Sequence, residues 1–178
     1  VSSLYFNNIN TKYVGLFGNV ASSGKVANVG VIDTYFNGYS YIGGVVGNNS
    51  GTVSGCYNTS TAMGSMNGGG FNTSDYIGGV VGYNSGIVSG CYNIGNISGD
   101  SRIGGVVGYN NNYISDDSPA IVTGCYNNGN VSGNNIYVGG IVGDNSDIVR
   151  SCYNTGNSSE GGVVGGNRKG GTVMSCYY

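Results

Sequence analysis

Two short blocks recur along this chain in fixed order, and that repeat limits the possible folds more than any other feature. GGVVG or GGIVG begins at Gly43, Gly78, Gly104, Gly139 and Gly161. Each copy is followed by an Asn-containing turn and a V-x-x-C-Y segment, whose tyrosines are Tyr57, Tyr92, Tyr126, Tyr153 and Tyr177. A degenerate first copy, Tyr13-Val-Gly-Leu-Phe-Gly18 followed by Lys25-Val-Ala-Asn-Val29, makes a sixth unit. Spacings between glycine blocks are 35, 26, 35 and 22 residues. The shortest unit holds about three five-residue strands plus tight turns, which is one coil of a solenoid. The excess of the longer units falls in Ala62 to Asp75 and Asn111 to Ser118, where Ser, Asn, Asp and Gly crowd together as in loops.

Helical repeats of similar length are the competing fold, and the residues argue against them. Glycine pairs interrupt every unit, good helix formers are scarce, and no apolar i, i+3, i+4 stripe occurs. The apolar residues are mainly Val, Ile and 16 tyrosines, which suit a pleated, half-buried surface. The fold class is therefore all-β: a parallel β-solenoid of five to six coils in one domain, wound with the usual right hand. Stacked at about 4.8 Å per coil, it would rise roughly 25–30 Å. The first repeat runs from about 13 to 40, and the others cover about 41–75, 76–101, 102–135, 136–159 and 160–178.

The units YIGGVVGNNSGTVSGCYN, YIGGVVGYNSGIVSGCYNIGNISG and YVGGIVGDNSDIVRSCYNTGNSS resemble the GLUG repeat, named for a glycine, leucine, any residue, glycine core. The degenerate copy reads Gly15-Leu16-Phe17-Gly18, close to that core. The resemblance covers the chain from about Tyr13 onward. It implies a surface-exposed or secreted microbial protein, commonly a large adhesin-like molecule or the non-catalytic flank of an immunoglobulin A-cleaving metallopeptidase. It implies no chemistry within the repeats.

Stacking converts the repeat into columns. Val26, Val53, Val88, Val122, Val149 and Val173 form one, and the polar column beside it, with Ser54, Ser89 and Arg150, places the valines inside. Three positions on stand Val29, Cys56, Cys91, Cys125, Cys152 and Cys176. A corner at Asn28, Gly55, Gly90, Gly124, Ser151 and Ser175 would reset the parity and turn this column inward. The cysteines then read as a buried ladder of small apolar thiols. Rung spacing leaves neighbouring disulfides possible but strained, with one thiol left over. Their intervals of 35, 34, 27 and 24 residues do not suit a zinc site. Asn49, Asn84, Asn110, Asn145 and Asn167 form an asparagine column, and Asn58, Asn93, Asn127 and Asn154 form a second; stacked amides can bond up and down the axis. Asn-x-Ser sequons stand at Asn48, Asn58, Asn72, Asn96, Asn130 and Asn157, those in the loop insertions being the better acceptors.

Catalytic chemistry finds little support. Histidine is absent, which removes Ser-His-Asp and Cys-His schemes and His-ligated metals. The chain reads as no enzyme and needs no cofactor. A polysaccharide-active β-helix enzyme is the remote alternative, since it would need clustered acids beside basic groups. Asp116 and Asp117, with Asp144 and Asp147 in the corresponding turn of the next unit, could together bind Ca²⁺, although solvated loop acids are the better reading. Charged residues are only 8% and the net charge is −2, so nucleic acid is not an expected partner. No apolar run reaches membrane-spanning length, so no membrane insertion is expected, and any export signal is expected outside VSSLYFNNIN.

The expected function is a non-catalytic extracellular or cell-surface module, serving as a stalk or as a self-assembling filament or sheath subunit. The alternative is an adhesin that binds a glycan or host surface through exposed tyrosines such as Tyr83 and Tyr109, alongside Tyr41, Tyr76 and Tyr137. Self-association, end to end or lateral, is expected on two grounds. The first residues (Leu4, Tyr5, Phe6) and the last (Cys176, Tyr177, Tyr178) carry no polar cap, so the stack should continue into more chain or another copy. Adjacent valines, Val45 beside Val46 and Val80 beside Val81, should also leave one of each pair on an outward aliphatic stripe.

Overall fold

The computed structural model describes residues 1–64, 76–113 and 118–178. Its first coil contains five short strands: β1 (Tyr5–Asn7), β2 (Lys12–Val14), β3 (Phe17–Val20), β4 (Lys25–Ala27) and β5 (Gly30–Val31). The second coil repeats them as β6 (Tyr35–Gly38), β7 (Ser40–Gly43), β8 (Val46–Asn49), β9 (Thr52–Ser54) and β10 (Tyr57–Asn58). Each pairs in parallel with its counterpart one coil earlier. The pattern continues through three more coils, beginning with strands at Thr61, Ile97 and Val131. In the sixth, Ser158, Gly161 and Tyr177 bridge to Val131, Gly139 and Tyr153 around strands Val164–Asn167 and Thr172–Met174. The result is three five-stranded and two six-stranded parallel sheets, a parallel β-solenoid. Among the described residues no helix is long and apolar enough to cross a membrane.

The coil has five short sides where the repeat length suggested three longer ones. Bends recur at chemically distinct positions and cut the strands to two to four residues. Two bends follow the asparagine columns. A third is the left-handed corner at Asn28, Gly55, Gly90, Gly124, Ser151 and Ser175, all with φ between 51° and 61°. Glycine and asparagine enter that region readily, and the corner turns the next residue inward. Register also shifts two repeat boundaries by one residue. Ile103 pairs with Val138 and Gly139 with Gly161, so the positions equivalent to Arg102 are Tyr137 and Ser159.

The outward stripe expected from the valine pairs does not form. Val45, Val46, Val80, Val81, Val106, Val107, Ile141 and Val142 are all fully buried. The chain bends at this point instead of continuing as a strand: the amides of both Val45 and Val46 donate to one carbonyl, that of Val80, at 3.0 and 2.9 Å. Strict alternation holds only along an unbent strand, so at this corner consecutive side chains both point into the core.

A glycine column makes the interior narrow. At Gly44 a Cβ would stand 2.5 Å from the Gly79 carbonyl oxygen and 2.8 Å from Asn58 Oδ1, and Gly79, Gly105 and Gly140 are confined in the same way by the next coil and by Asn93, Asn127 and Asn154. The second asparagine column therefore packs against the bare backbone of the glycine block.

Candidate functional site

Both asparagine columns are continuous hydrogen-bonded ladders. In the first, the side-chain amide of Asn49 donates to Asn84, Asn84 to Asn110, Asn110 to Asn145 and Asn145 to Asn167, at 2.8 to 2.9 Å. In the second, Asn58 donates to Asn93, Asn93 to Asn127 and Asn127 to Asn154, at 2.7 to 2.9 Å. The rungs also bend their own backbone. Asn93 Oδ1 accepts from the Gly95 amide and its Nδ2 donates to the Gly95 carbonyl, and Asn58, Asn127 and Asn154 repeat the arrangement. Val20 and Val31 occupy the equivalent places in the first coil. These amides are committed to structure.

Cys56, Cys91, Cys125 and Cys152 stack in the core with Val29 at one end and Cys176 at the other, and none is in a disulfide. Each thiol donates to a carbonyl two residues back, and the Cys125 amide donates to Cys152 Sγ at 3.4 Å. Hydrogen bonding to Cys152 and Cys91, together with complete burial, pushes the Cys125 thiol well above its ordinary pKa, and burial raises Cys176. Hydrogen bonding with Cys125 lowers Cys91 and Cys152 instead, so burial and not protonation shields the four core thiols from reagents. Iodoacetamide at pH 8 is expected to label Cys176 in the native protein and the other four only after unfolding, which intact-mass spectrometry reads directly; rapid native labelling of Cys91 or Cys125 would contradict the ladder.

Besides the Tyr5–Tyr35 stack of the first two coils, tyrosines make two longer surfaces. Tyr57, Tyr92, Tyr126 and Tyr153 stack face to face with centroids 4.8 to 5.2 Å apart and planes within 8°. Their faces cover one another, leaving mainly edges to solvent. The second surface combines two neighbouring columns, one holding Tyr13, Tyr41, Tyr76, Arg102 and Tyr137, the other Tyr83, Tyr109 and Asp144. Tyr13, Tyr41, Arg102 and Tyr137 sit at φ of 52° to 66°, a conformation such side chains rarely adopt. Of the two tyrosines singled out for sugar stacking, Tyr83 is half-buried. Tyr109 is only 3% exposed: Tyr76 stacks on it at 5.3 Å, and Tyr83 and Tyr113 meet it edge to face. It offers no free face to a sugar. Burial raises both phenols above the usual tyrosine range.

Asp144 explains how this surface closes. Its carboxylate is fully buried between two guanidiniums. Arg102 Nε donates to Oδ2 at 3.1 Å, while Arg168 donates from Nε to Oδ1 at 2.9 Å and from Nη2 to Oδ2 at 2.6 Å. Both guanidiniums lie over tyrosine rings, Arg168 at 5.1 Å from the Tyr137 centroid and Arg102 at 5.5 Å from Tyr76. The carboxylate belongs to this clamp and is closed to a cation. The Ca²⁺ grouping loses Asp144 on that ground; Asp147 accepts the Asn112 amide at 2.6 Å, and Asp116 and Asp117 lie outside the described residues. Among the described residues no group of three or more Cys, Asp or Glu side chains is placed to hold a metal. Neither Arg102 nor Arg168 stands out in the sequence, because 42 and 24 residues separate them from Asp144. The available signal was an arginine in an otherwise tyrosine-rich column.

The sequons also separate. Asn58 is fully buried with its amide nitrogen bonded, so the folded chain cannot be glycosylated there. Asn96, Asn130 and Asn157 are exposed and stacked, with the Asn130 amide donating to Asn96 Oδ1 and Asn157 Nδ2 to Asn130 Oδ1 at 3.2 Å each. Asn48 donates to Asn19 at 3.0 Å, and Asn72 lies outside the described residues.

A cleft of about 760 Å³ adjoins the clamp, lined by Tyr109, Asn111, Tyr113, Asp147, Arg168 and Lys169 among others. A smaller groove of about 450 Å³ runs along the first ladder's turns past Ser50, Thr52, Ser85, Ile87 and Ile121. No curated protein and no solved structure matches the chain. Residues 99–132 match the family model described as the GLUG motif. That stretch carries one glycine block, one rung of each asparagine ladder and one Cys-Tyr corner, and these elements recur in register in the neighbouring coils, so the other coils repeat the parts of the matched GLUG motif.

Proposed function

We propose that the chain is a non-catalytic, extracellular structural module, a rigid spacer within a microbial surface protein. The observation that supports this most directly is the continuity of its ladders. Two asparagine ladders, a thiol column and a tyrosine stack run through successive coils with each side chain engaged by its equivalents above and below. A solenoid of this kind resists bending because every coil is tied to its neighbours, and its length follows from coil number. The strand edges of the outermost coils can take a further coil, from the same polypeptide or a second copy, which would make a longer stalk or a filament.

Register supplies the test. Ile97 and Val131 are paired equivalents, so deleting 97–130 joins Asn96 to Val131 and removes one whole coil. The shortened protein is expected to fold, to reach the outside of the cell, and to keep cooperative unfolding with a span about 4.8 Å less. An epitope tag placed beside Ser118 in the intact protein should be accessible to antibody on unpermeabilised cells. Staining only after permeabilisation would overturn the extracellular reading, and collapse of the fold on coil deletion would overturn the spacer.

A further inference from the structure

We infer that the cleft between the Tyr109–Tyr113 pair and Arg168–Lys169 is a binding site for an acidic saccharide, a sugar chain bearing carboxylates. This goes beyond the spacer role and does not depend on it. The tyrosine columns themselves are poor sugar platforms, since their faces are covered by one another or by guanidiniums. Tyr113 is different. It is 75% exposed, and its hydroxyl is held by Tyr109 at 2.7 Å, so an aromatic ring stands fixed at the cleft mouth. Ring faces take the C–H side of a pyranose, and planar polar groups around them take its hydroxyls.

The lining supplies such groups. Asp147 is an acceptor that uses one oxygen on the Asn112 amide. The Tyr109 hydroxyl, Ser146 and Asn111 complete a mixed donor and acceptor set. Asn111 is the telling member: it is nine-tenths buried, lines the cleft, and its amide nitrogen has no hydrogen-bond partner. Buried donors are ordinarily satisfied, so an unpaired one in a cleft wall points to an acceptor that arrives from outside after a small turn of the amide.

Charge selects the class. Asp144 and Arg102 offset each other within the clamp, which leaves Arg168 and Lys169 against Asp147 at the cleft, one positive charge in excess. That suits a single carboxylate more than a doubly charged phosphate. Arg168 is fixed in place by its bonds to Asp144 and by Tyr137, so its remaining N–H groups are preorganised for a carboxylate.

The test is calorimetric titration of the full chain with oligosaccharides of glucuronate, galacturonate, mannuronate and N-acetylneuraminate, beside neutral oligosaccharides and sodium sulfate. At least one acidic glycan should bind, at least tenfold more tightly than its neutral counterpart, with affinity falling as salt rises. Tyr113→Ala and Lys169→Gln change exposed residues and should leave melting unchanged while weakening binding about tenfold each. Asn111→Leu should keep or raise the melting temperature yet weaken binding. The inference is overturned if no acidic glycan binds, if neutral glycans bind equally well, if sulfate alone competes fully, or if all three variants bind like the parent. Removing coil 97–130 deletes Asn111 and Tyr113, so loss of binding in a folded, displayed protein separates this inference from the spacer reading.

Discussion

Asn93→Asp is expected to destabilise the chain by more than about 4 kcal/mol, enough to leave it largely unfolded at neutral pH. The substitution changes one atom in the middle of a fully buried ladder. Both bonds that Asn93 Oδ1 accepts, from the Asn58 amide and from the Gly95 N–H, survive. Both bonds that Nδ2 donates, to Asn127 Oδ1 at 2.7 Å and to the Gly95 carbonyl at 2.8 Å, become contacts between a carboxylate oxygen and acceptors. Burial and those acceptors hold the introduced carboxyl's folded pKa above its unfolded value near 4. The variant should therefore regain stability, relative to the parent at the same pH, as pH falls below about 4 and the carboxyl becomes a donor; above that it loses stability because the unfolded chain releases the proton more readily. Asn93→Val should cost less, about 2–3 kcal/mol, since the register-equivalent place in the first coil is Val31 and no charge is introduced. Urea unfolding at pH 3 and pH 7 checks both variants. Equal stability of Asn93→Asp and the parent at pH 7 would remove the ladder from the account of this fold.

Gly105→Ala is expected to cost about 3 kcal/mol and, for a chain of this length, to lower the melting temperature by about 6–12 °C. The new methyl would overlap the Gly140 carbonyl oxygen and stand 2.7 Å from Asn127 Nδ2. Neither neighbour is a flexible side-chain end. One is backbone of the next coil, and the other is a ladder rung. The relief available elsewhere, rotating a side chain aside, is absent. Gly90→Asn makes the comparison: a Cβ there meets nothing within 4 Å, and its φ of 58° is the conformation that Asn28 adopts at the same corner. That change should move the melting temperature by no more than about 2–3 °C. Differential scanning calorimetry of the two variants distinguishes lack of room from lack of conformational freedom, and a Gly105→Ala protein that melts like the parent would show the glycine column to be dispensable.

The stack was legible because a solenoid translates period directly into contact. Once the glycine blocks are aligned, parallel pairing of Val81 with Val107 follows, and once the V-x-x-C-Y segments are aligned in their turn, so does that of Ile87 with Ile121. Side-chain direction was legible only where a residue type betrayed it, as Arg150 did beside Val149. It failed at Val45 and Val46, because the alternation rule presumes a straight strand and the bend lies between them. The cleft was illegible for a different reason. Tyr109, Asp144 and Arg168 come from three coils, and which of them meet depends on how loop length shifts each column. Such shifts are invisible until register is known.

The asparagine ladders carry one more consequence. Every rung donates its side-chain N–H toward the following coil, from Asn49 through to Asn167 and from Asn58 through to Asn154. The amide dipoles therefore add along the axis in one sense, with carbonyl oxygens facing the side of the first coil and N–H groups the side of the last. The solenoid is an arrow. Val20 and Val31 close both ladders at the first coil, whereas Asn167 carries the first ladder into the sixth, so the two ends offer different groups to any coil that joins them. Any fibre built this way would have a direction, with two ends that grow on different terms.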